Sequence, residues 1–257
     1  MAESIALNID CMEYMATLPD NAFDLAICDP PYGDGKDKAE FREQGVHFHG
    51  RGRSAKYSQN VQVEREREQY NRFGNPGGRF DKYKPCIEDG RDMGGEIRKK
   101  IIAWDIAPEK EYFDELFRVS RNQIIWGGNY FALPPTRCFL IWRKLTISEN
   151  FTMAMAEYAW TSFNSNAKVF EAPPQDKARF HPTQKPVALY EWILKHYAKE
   201  GDRILDTHLG SGSSRIAAYN LGFDFVGCEI VEVYFDKQEE RFAKHTAQTS
   251  LFIDGGF

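Results

Sequence analysis

None of the five cysteines in this 257-residue chain stands within CxxC distance of another. Cys11, Cys28, Cys86, Cys138 and Cys228 are scattered singly, which indicates neither a zinc site nor a disulfide framework, and no other metal site is expected. Cys28, Cys138 and Cys228 lie in or at the ends of apolar runs, where a buried reduced thiol is the ordinary role. No apolar run approaches the roughly 18 residues of a membrane span. The opening Met1-Ala2-Glu3-Ser4 has the character of neither a signal nor a transit peptide, so the cytoplasm is the expected compartment and no membrane partner is expected. There is no internal repeat, so repeat architectures are excluded. A marked excess of one charge is missing too: the net −5, taken as a sum, argues against nucleic acid.

The distribution of charge says more than the sum. Residues 33–84 hold twelve Lys or Arg against eight Asp or Glu, leaving the remainder of the chain at −9. Within them, residues 45–63 contain Arg51, Arg53, Lys56, His47 and His49 without a single acid, interleaved with Phe48 and Tyr57. Such a tract can follow a phosphate backbone while its rings touch bases, which makes Arg51, Arg53 and Lys56 candidate DNA contacts; otherwise it is a solvated loop. Hydrophobic periodicity breaks down over residues 33–100, with loops and one charged helix expected at residues 61–70. An irregular stretch of that length reads as an insertion of the DNA-recognition or lid kind. At 42% hydrophobic residues the chain suffices for one α/β core and is too short for two full domains, so residues 1–257 are expected as a single domain carrying that insertion.

Two places concentrate the chemistry. Asp29-Pro30-Pro31-Tyr32 follows directly on the apolar run Phe23-Asp24-Leu25-Ala26-Ile27-Cys28. The prolines fix their own φ, remove two backbone donors and keep the preceding residue extended. What remains at a strand end is a carboxylate, a proline carbonyl free to accept hydrogen bonds, and a ring able to stack on a flat ligand. Those groups can grip the exocyclic amine of a base that has left its helix. As a plain loop after a buried strand, the same residues would leave Tyr32 as packing. The second place, residues 201–214, reads as a short strand ending at Asp206, a turn with Gly210 and Gly212, and a helix capped by Ser213 or Ser214. The next strand ends in Glu229, an acid about 20 residues past a glycine turn, where nucleotide-type folds bind ribose hydroxyls. For an isolated Gly-x-Gly, a turn with no ligand is the alternative.

Between these places regular elements are legible. A first strand over residues 5–9 ends at Asp10-Cys11 and a short helix through Met15; Asp10 is either a ligand contact or that helix's cap. An amphipathic helix runs from Pro108 through Tyr112, Phe113, Leu116, Phe117 and Val119. Strands follow over residues 122–126, 138–142 and 157–163, the second closed by Arg143-Lys144. A helix opens at Pro186 and stops before Gly201. Trp126 and Tyr130 stand at a strand's carboxyl end, where open α/β sheets place their ligands. The alternation predicts an α/β fold with a doubly wound, mostly parallel sheet.

Asp29-Pro30-Pro31-Tyr32, His181-Pro182-Thr183-Gln184-Lys185-Pro186 and residues 206–214, in that order, resemble the DNA amino-methyltransferases that use S-adenosylmethionine (SAM), the enzymes of restriction–modification. A catalytic motif ahead of the SAM motif is the order of the beta, circularly permuted class. The resemblance covers roughly residues 1–32 and 101–245, and implies a Rossmann-like sheet of seven strands with one antiparallel member. It implies that Asp29 and the Pro30 carbonyl accept the two hydrogens of the target amine, within a motif completed by Pro31, while Tyr32 stacks on the base. It further implies that Asp206, Gly210, Gly212, Ser213 and Glu229 hold SAM, that Asp10 and Cys11 lie beside its adenine, and that His181 and Lys185 lie near its methionine end. An acid heading the catalytic motif goes with adenine N6, where cytosine-N4 enzymes commonly carry serine. Two departures stand out: Thr207-His208 replaces the usual Pro-Phe, and Ser213-Ser214 replaces a Thr-Thr-like pair.

The expected reaction is direct transfer of an already activated methyl group, which needs alignment and charge stabilisation rather than a metal or covalent intermediate. DNA is the expected partner, and a homodimer is compatible with the resemblance. Alternatives are a cytosine-N4 enzyme and a non-catalytic DNA-binding protein with a degenerate SAM pocket. A nucleotide-dependent oxidoreductase is disfavoured because Gly210-Ser211-Gly212 lacks the third glycine of that fingerprint.

Overall fold

The computed structural model describes residues 2–33, 106–148, 154–174 and 179–254. Arg51, Arg53, Lys56, Cys86 and the helix expected at residues 61–70 lie outside the described residues. Apart from Gly33 and Ile106, the described residues belong to one unit, Met1–Tyr32 with Ala107–Phe257.

Among the described residues eight strands form one sheet: β1 (Ser4–Leu7), β2 (Phe23–Cys28), β3 (Ser120–Trp126), β4 (Phe139–Lys144), β5 (Ala156–Thr161), β6 (Lys168–Ala172), β7 (Arg203–Asp206) and β8 (Asp224–Cys228). Their order is β1-β8-β7-β2-β3-β5-β4-β6. Only β5 runs against its neighbours, pairing antiparallel with both β3 and β4. The helices are α1 (Cys11–Ala16), α2 (Lys110–Val119), α3 (Val187–Tyr197), α4 (Ser213–Leu221) and α5 (Glu232–Asp254).

The doubly wound, mostly parallel sheet is therefore present, with eight strands instead of seven. The additional one is β6, an edge strand beside β4 in which half-buried Lys168, Phe170 and Ala172 alternate with exposed Val169 and Glu171. An edge strand with so little buried surface leaves no apolar run to read. β4 also continues through Lys144 instead of closing before it, where that lysine finds a half-buried carboxylate on β5.

Strand residues alternate between two apolar layers, as the period of a strand requires. Leu25, Ile27, Ile124, Trp126, Ile204 and Phe225 face α3 and α4, packing with Leu189, Tyr190, Ile193, Leu194, Ala217 and Ala218. Ala26, Cys28, Ile125, Leu205 and Val226 face the other way, against Met15 of α1 and Tyr112, Phe113, Leu116 and Val119 of α2. In α2 those four positions fall on one face of a 3.6-residue repeat, which is why the helix is legible in the sequence. With helices on both faces, polar chemistry is left to the strand ends.

Candidate active site

The order β1-β8-β7-β2-β3 brings five parallel carboxyl ends side by side. Asp206 ends β7, while Glu229, Asp29 and Gly127 directly follow β8, β2 and β3, and Asp10 stands three residues beyond β1. From β7 the chain goes through α4 to β8 on one side, and β3 lies beside β2 on the other. The crevice between the ends of β7 and β2 is thus where connections diverge, the place at which open α/β sheets bind ligands.

The glycine turn lies over the β7 end. Gly212, at φ +72°, is itself the N-cap of α4, so neither serine caps the helix as the sequence suggested. Each has another use. The Ser214 hydroxyl donates to Asp206 Oδ2 (2.5 Å), and Ser213 Oγ meets Ser211 Oγ (3.1 Å) and accepts from Arg241 Nη1 (2.9 Å). Asp206 Oδ1 accepts the His208 amide (3.0 Å). Burial raises the Asp206 carboxyl to about 7 despite these two bonds, with Asp29 and Glu229 adding to the rise.

Glu229 braces the same turn from the neighbouring strand. Its Oε2 accepts the Gly210 amide and its Oε1 the Val231 amide, both at 2.8 Å. Burial raises its pKa, and these backbone donors oppose the rise. Ile230 and Val233 beside it are exposed apolar side chains on this open edge. His181 lies against the turn: a Cβ on Gly210 would come 3.2 Å from its ring, which also meets Tyr234 edge-on at 4.3 Å between centroids and Thr183 Oγ1 through Nδ1 at 3.2 Å. Burial, with Lys185 and Arg179 nearby, lowers the His181 pKa to about 4, so the ring is neutral at pH 7. Asp10 caps α1 through the Met12 amide (2.7 Å), and burial pushes the adjacent Cys11 thiol up to about 12. Thr207-His208, the departure from Pro-Phe, fills its space with a polar chain. Thr207 Oγ1 bonds Tyr112 Oη (2.6 Å) and His208 Nδ1 (3.0 Å), and the His208 ring meets Tyr112 edge-on at 5.3 Å.

On the β2 side, Asp29 Oδ1 accepts the Tyr32 hydroxyl (2.8 Å) and Oδ2 is paired with Lys185. The Tyr32 ring stacks on Tyr130 (4.8 Å, 18° between planes) and covers Gly127, which follows β3 at φ +68°. Any Cβ at Gly127 would fall 2.1 Å from Tyr32 Cε1. The outer side of Tyr130 is open, the residue being 62% exposed. Lys185 is 2% exposed and lies at Asp29, with its Nζ 3.2 Å from Glu157 Oε2 and 5.1 Å from the Trp126 ring. His181 and Lys185, adjacent in one sequence motif, thus attend different parts of the crevice, one the glycine turn and the other the β2 carboxylate. Sequence reasoning passed over Glu157. Its only signal was an acid in an otherwise apolar strand, and β5, being antiparallel, presents its beginning rather than its end at this edge.

A sequence profile of DNA methylases of the N6/N4 type matches residues 98–240, more than half of the chain. The chain belongs to the DNA methylase family. The matched region includes Lys185, Asp206, the glycine turn and Glu229, and stops short of residues 29–32. The methylase is 21% identical over 259 residues to the type II methyltransferase M2.MboI of Moraxella bovis, covering 92% of this chain and 86% of that one. It is 23% identical over 265 residues to M.HinfI of Haemophilus influenzae, covering 90% of this chain and 66% of the relative. Among solved structures, the M1.HpyAVI–SAM complex aligns with a TM-score of 0.47 at 17% identity, over 94% of this chain and 98% of that one. The family methylates DNA and takes its methyl group from SAM. No helix among the described residues is long and apolar enough to cross a membrane.

Proposed function

We propose that this methylase transfers a methyl group from SAM to the N6 amine of a flipped adenine at specific sites in DNA. The observation that carries the reading is Asp29: a carboxylate, not a serine, at the divergent crevice, followed in the chain by Pro30 and bonded by the Tyr32 hydroxyl. A carboxylate that accepts both Tyr32 and Lys185 in the free protein has the acceptor capacity to take an amine hydrogen instead. With the Pro30 carbonyl accepting the second hydrogen, the amine turns toward a tetrahedral arrangement and its lone pair leaves conjugation with the ring. Asp29 then stabilises the positive charge that develops on nitrogen. The Tyr32 ring, seated against Gly127 and bonded to Asp29, is the surface for the base, which takes the place of the exposed Tyr130 ring stacked on it in the free protein.

The residues around β7 and β8 fit SAM. The glycine turn stands at the crevice with the His181 ring against it, Glu229 has lone pairs left for ribose hydroxyls after its two backbone bonds, and Ile230 offers an exposed apolar surface for a flat ring. Asp206 and Ser213 support this reading by shaping the turn, with Asp10 and Cys11 at the adenine side. When bound, SAM supplies a methyl group already activated as a sulfonium. The part left to the chain is orientation and exclusion of water.

Nucleoside mass spectrometry after reaction of bacterial DNA with isotope-labelled SAM tests the reading. The expected product is N6-methyladenine, with Asp29→Ala abolishing methylation while leaving SAM affinity within a few-fold. N4-methylcytosine as the sole product would overturn the choice of base. Undiminished turnover by Asp29→Ala would overturn the assignment of the carboxylate.

A further inference from the structure

Behind Asp29 runs a row of alternating charges, its lysines buried and its carboxylates half-buried, that the transfer scheme does not yet use. Asp29 Oδ2 is paired with Lys185 Nζ; that nitrogen is 3.2 Å from Glu157 Oε2; and Glu157 Oε1 is 2.5 Å from Lys144 Nζ. The lysine side chains are 2% and 8% exposed. Two anions and two cations balance, so every buried charge has an opposite neighbour. The row joins β2, the segment before α3, β5 and β4.

For the amine to reach Asp29 Oδ2, Lys185 must give way. A buried ammonium cannot be left without a counter-ion, and solvent does not reach this one. Building on the role given to Asp29 above, we propose that Glu157 is a positioning residue for methyl transfer: it receives Lys185 when the target amine takes the place of that lysine at Asp29. The distances suit a short hand-over. Nζ is already within ion-pair reach of Glu157 at 3.2 Å, so the cation stays paired while it draws away from Asp29. The Trp126 ring, 5.1 Å from Nζ, gives the cation a favourable surface along the way. Lys185 keeps its proton throughout: burial disfavours the ammonium, but Asp29 and Glu157 together hold its pKa above the usual lysine value. Lys144 has the complementary duty of keeping Glu157 ionised. Burial alone would raise that carboxyl, and the two lysines outweigh it.

The charge of Glu157 is also felt at Asp29. Burial raises the Asp29 pKa, Lys185 opposes the rise and Glu157 adds to it. The other titratable groups facing Asp29 are Tyr32, Tyr190 of α3 and Asp206 of β7. Tyr32 and Tyr190 also feel the Glu157 charge, but burial comes first in raising both, and both keep their protons in a Glu157→Gln variant. Removing the Glu157 charge therefore moves the Asp29 titration to lower pH, an effect that loss of packing alone would not have.

The experiment is the single-turnover methylation rate as a function of pH for the full chain, its Glu157→Gln and Glu157→Asp variants, and Asp29→Asn. Glu157→Gln should lose at least tenfold in rate at neutral pH, keep SAM affinity within twofold, and show its acid limb displaced to lower pH. Glu157→Asp, which keeps the charge, should recover most of the rate with the limb at the parent position, and remains informative if the glutamine variant folds poorly. A Glu157→Gln enzyme with the parent rate, or one whose rate falls while its acid limb stays put, overturns the proposal. Turnover by Asp29→Asn at the parent rate would instead sink the reading of Asp29 beneath it, so the two failures are separable.

Discussion

Replacing Gly127 with alanine should stop methyl transfer without unfolding the protein. Two costs arise at this position. A φ of +68° is left-handed, and an L side chain there costs about 1–2 kcal/mol. The added Cβ would also stand 2.1 Å from Tyr32 Cε1 and 2.6 Å from Cδ1 and Cζ, so the ring must move, a crowding cost of about 1–3 kcal/mol. The sum, about 2–5 kcal/mol, is within the stability of most domains. Its functional effect is larger, because the displaced ring also carries the hydroxyl bonded to Asp29 and the face stacked on Tyr130. Gly222→Ala supplies the control. That glycine has φ +74° with nothing within 4 Å of the methyl group an alanine would add, so it bears the backbone cost alone. Urea denaturation and single-turnover methylation, run on both variants, should give about 1–2 kcal/mol and near-parent activity for Gly222→Ala, against the larger loss and at least a hundredfold lower rate for Gly127→Ala. SAM affinity should survive in both. If Gly127→Ala methylated DNA at the parent rate, Tyr32 would not be the surface on which the base is held.

Asp206→Ala and Glu229→Ala should each weaken SAM binding by about tenfold or more in calorimetry, since the first removes two bonds within the turn and the second removes the bond to Gly210 along with the acceptor offered to the ribose, each bond worth about 0.5–3 kcal/mol; parent-like affinity in both would move the cofactor elsewhere. His181, held near 4 by burial against an ordinary 6.5, contributes stability that is present above about pH 6.5 and lost as pH falls toward 4. The unfolding free energy of the parent minus that of His181→Gln should accordingly shrink by about 1–3 kcal/mol across that window, and a constant difference would contradict a buried neutral ring. Converting Arg51, Arg53 and Lys56 together to alanine should weaken DNA binding and lower the slope of log K against log salt by about 0.9 for each phosphate no longer neutralised, with SAM binding unchanged. An unaltered slope would mark the tract as solvated loop.

The sheet and the acids along its carboxyl edge were legible because parallel strands buried on both faces are nearly continuous apolar runs, and because Asp206, Glu229 and Asp29 come immediately at their ends. β6 escaped because an edge strand alternates without enough buried surface to stand out. Ser213 and Ser214 were misread by residue type: serine is a good cap, but Gly212 reached the left-handed conformation first and freed both hydroxyls for other bonds. Lys185 was placed by motif near the methionine end of SAM, and its contact with Asp29 spans 156 residues of sequence, a pairing that only the strand order creates. Glu157 was hidden by direction, since searching just past strand ends finds nothing on a strand that runs the other way.

The opposite edge of the same sheet has a practical use. There the strands begin, and the joins are held by exposed hydrogen bonds from the Glu3 amide to Asp224 Oδ1 and from the Arg203 amide to Asp24 Oδ2, bonds of modest net weight. The turn containing Gly201, between α3 and β7, has nothing within 4 Å of a methyl group placed on it. A fluorophore or a short peptide tag attached at that turn sits a full strand length from Asp206 and Asp29. It would give a handle for following DNA engagement that leaves the reactive crevice untouched.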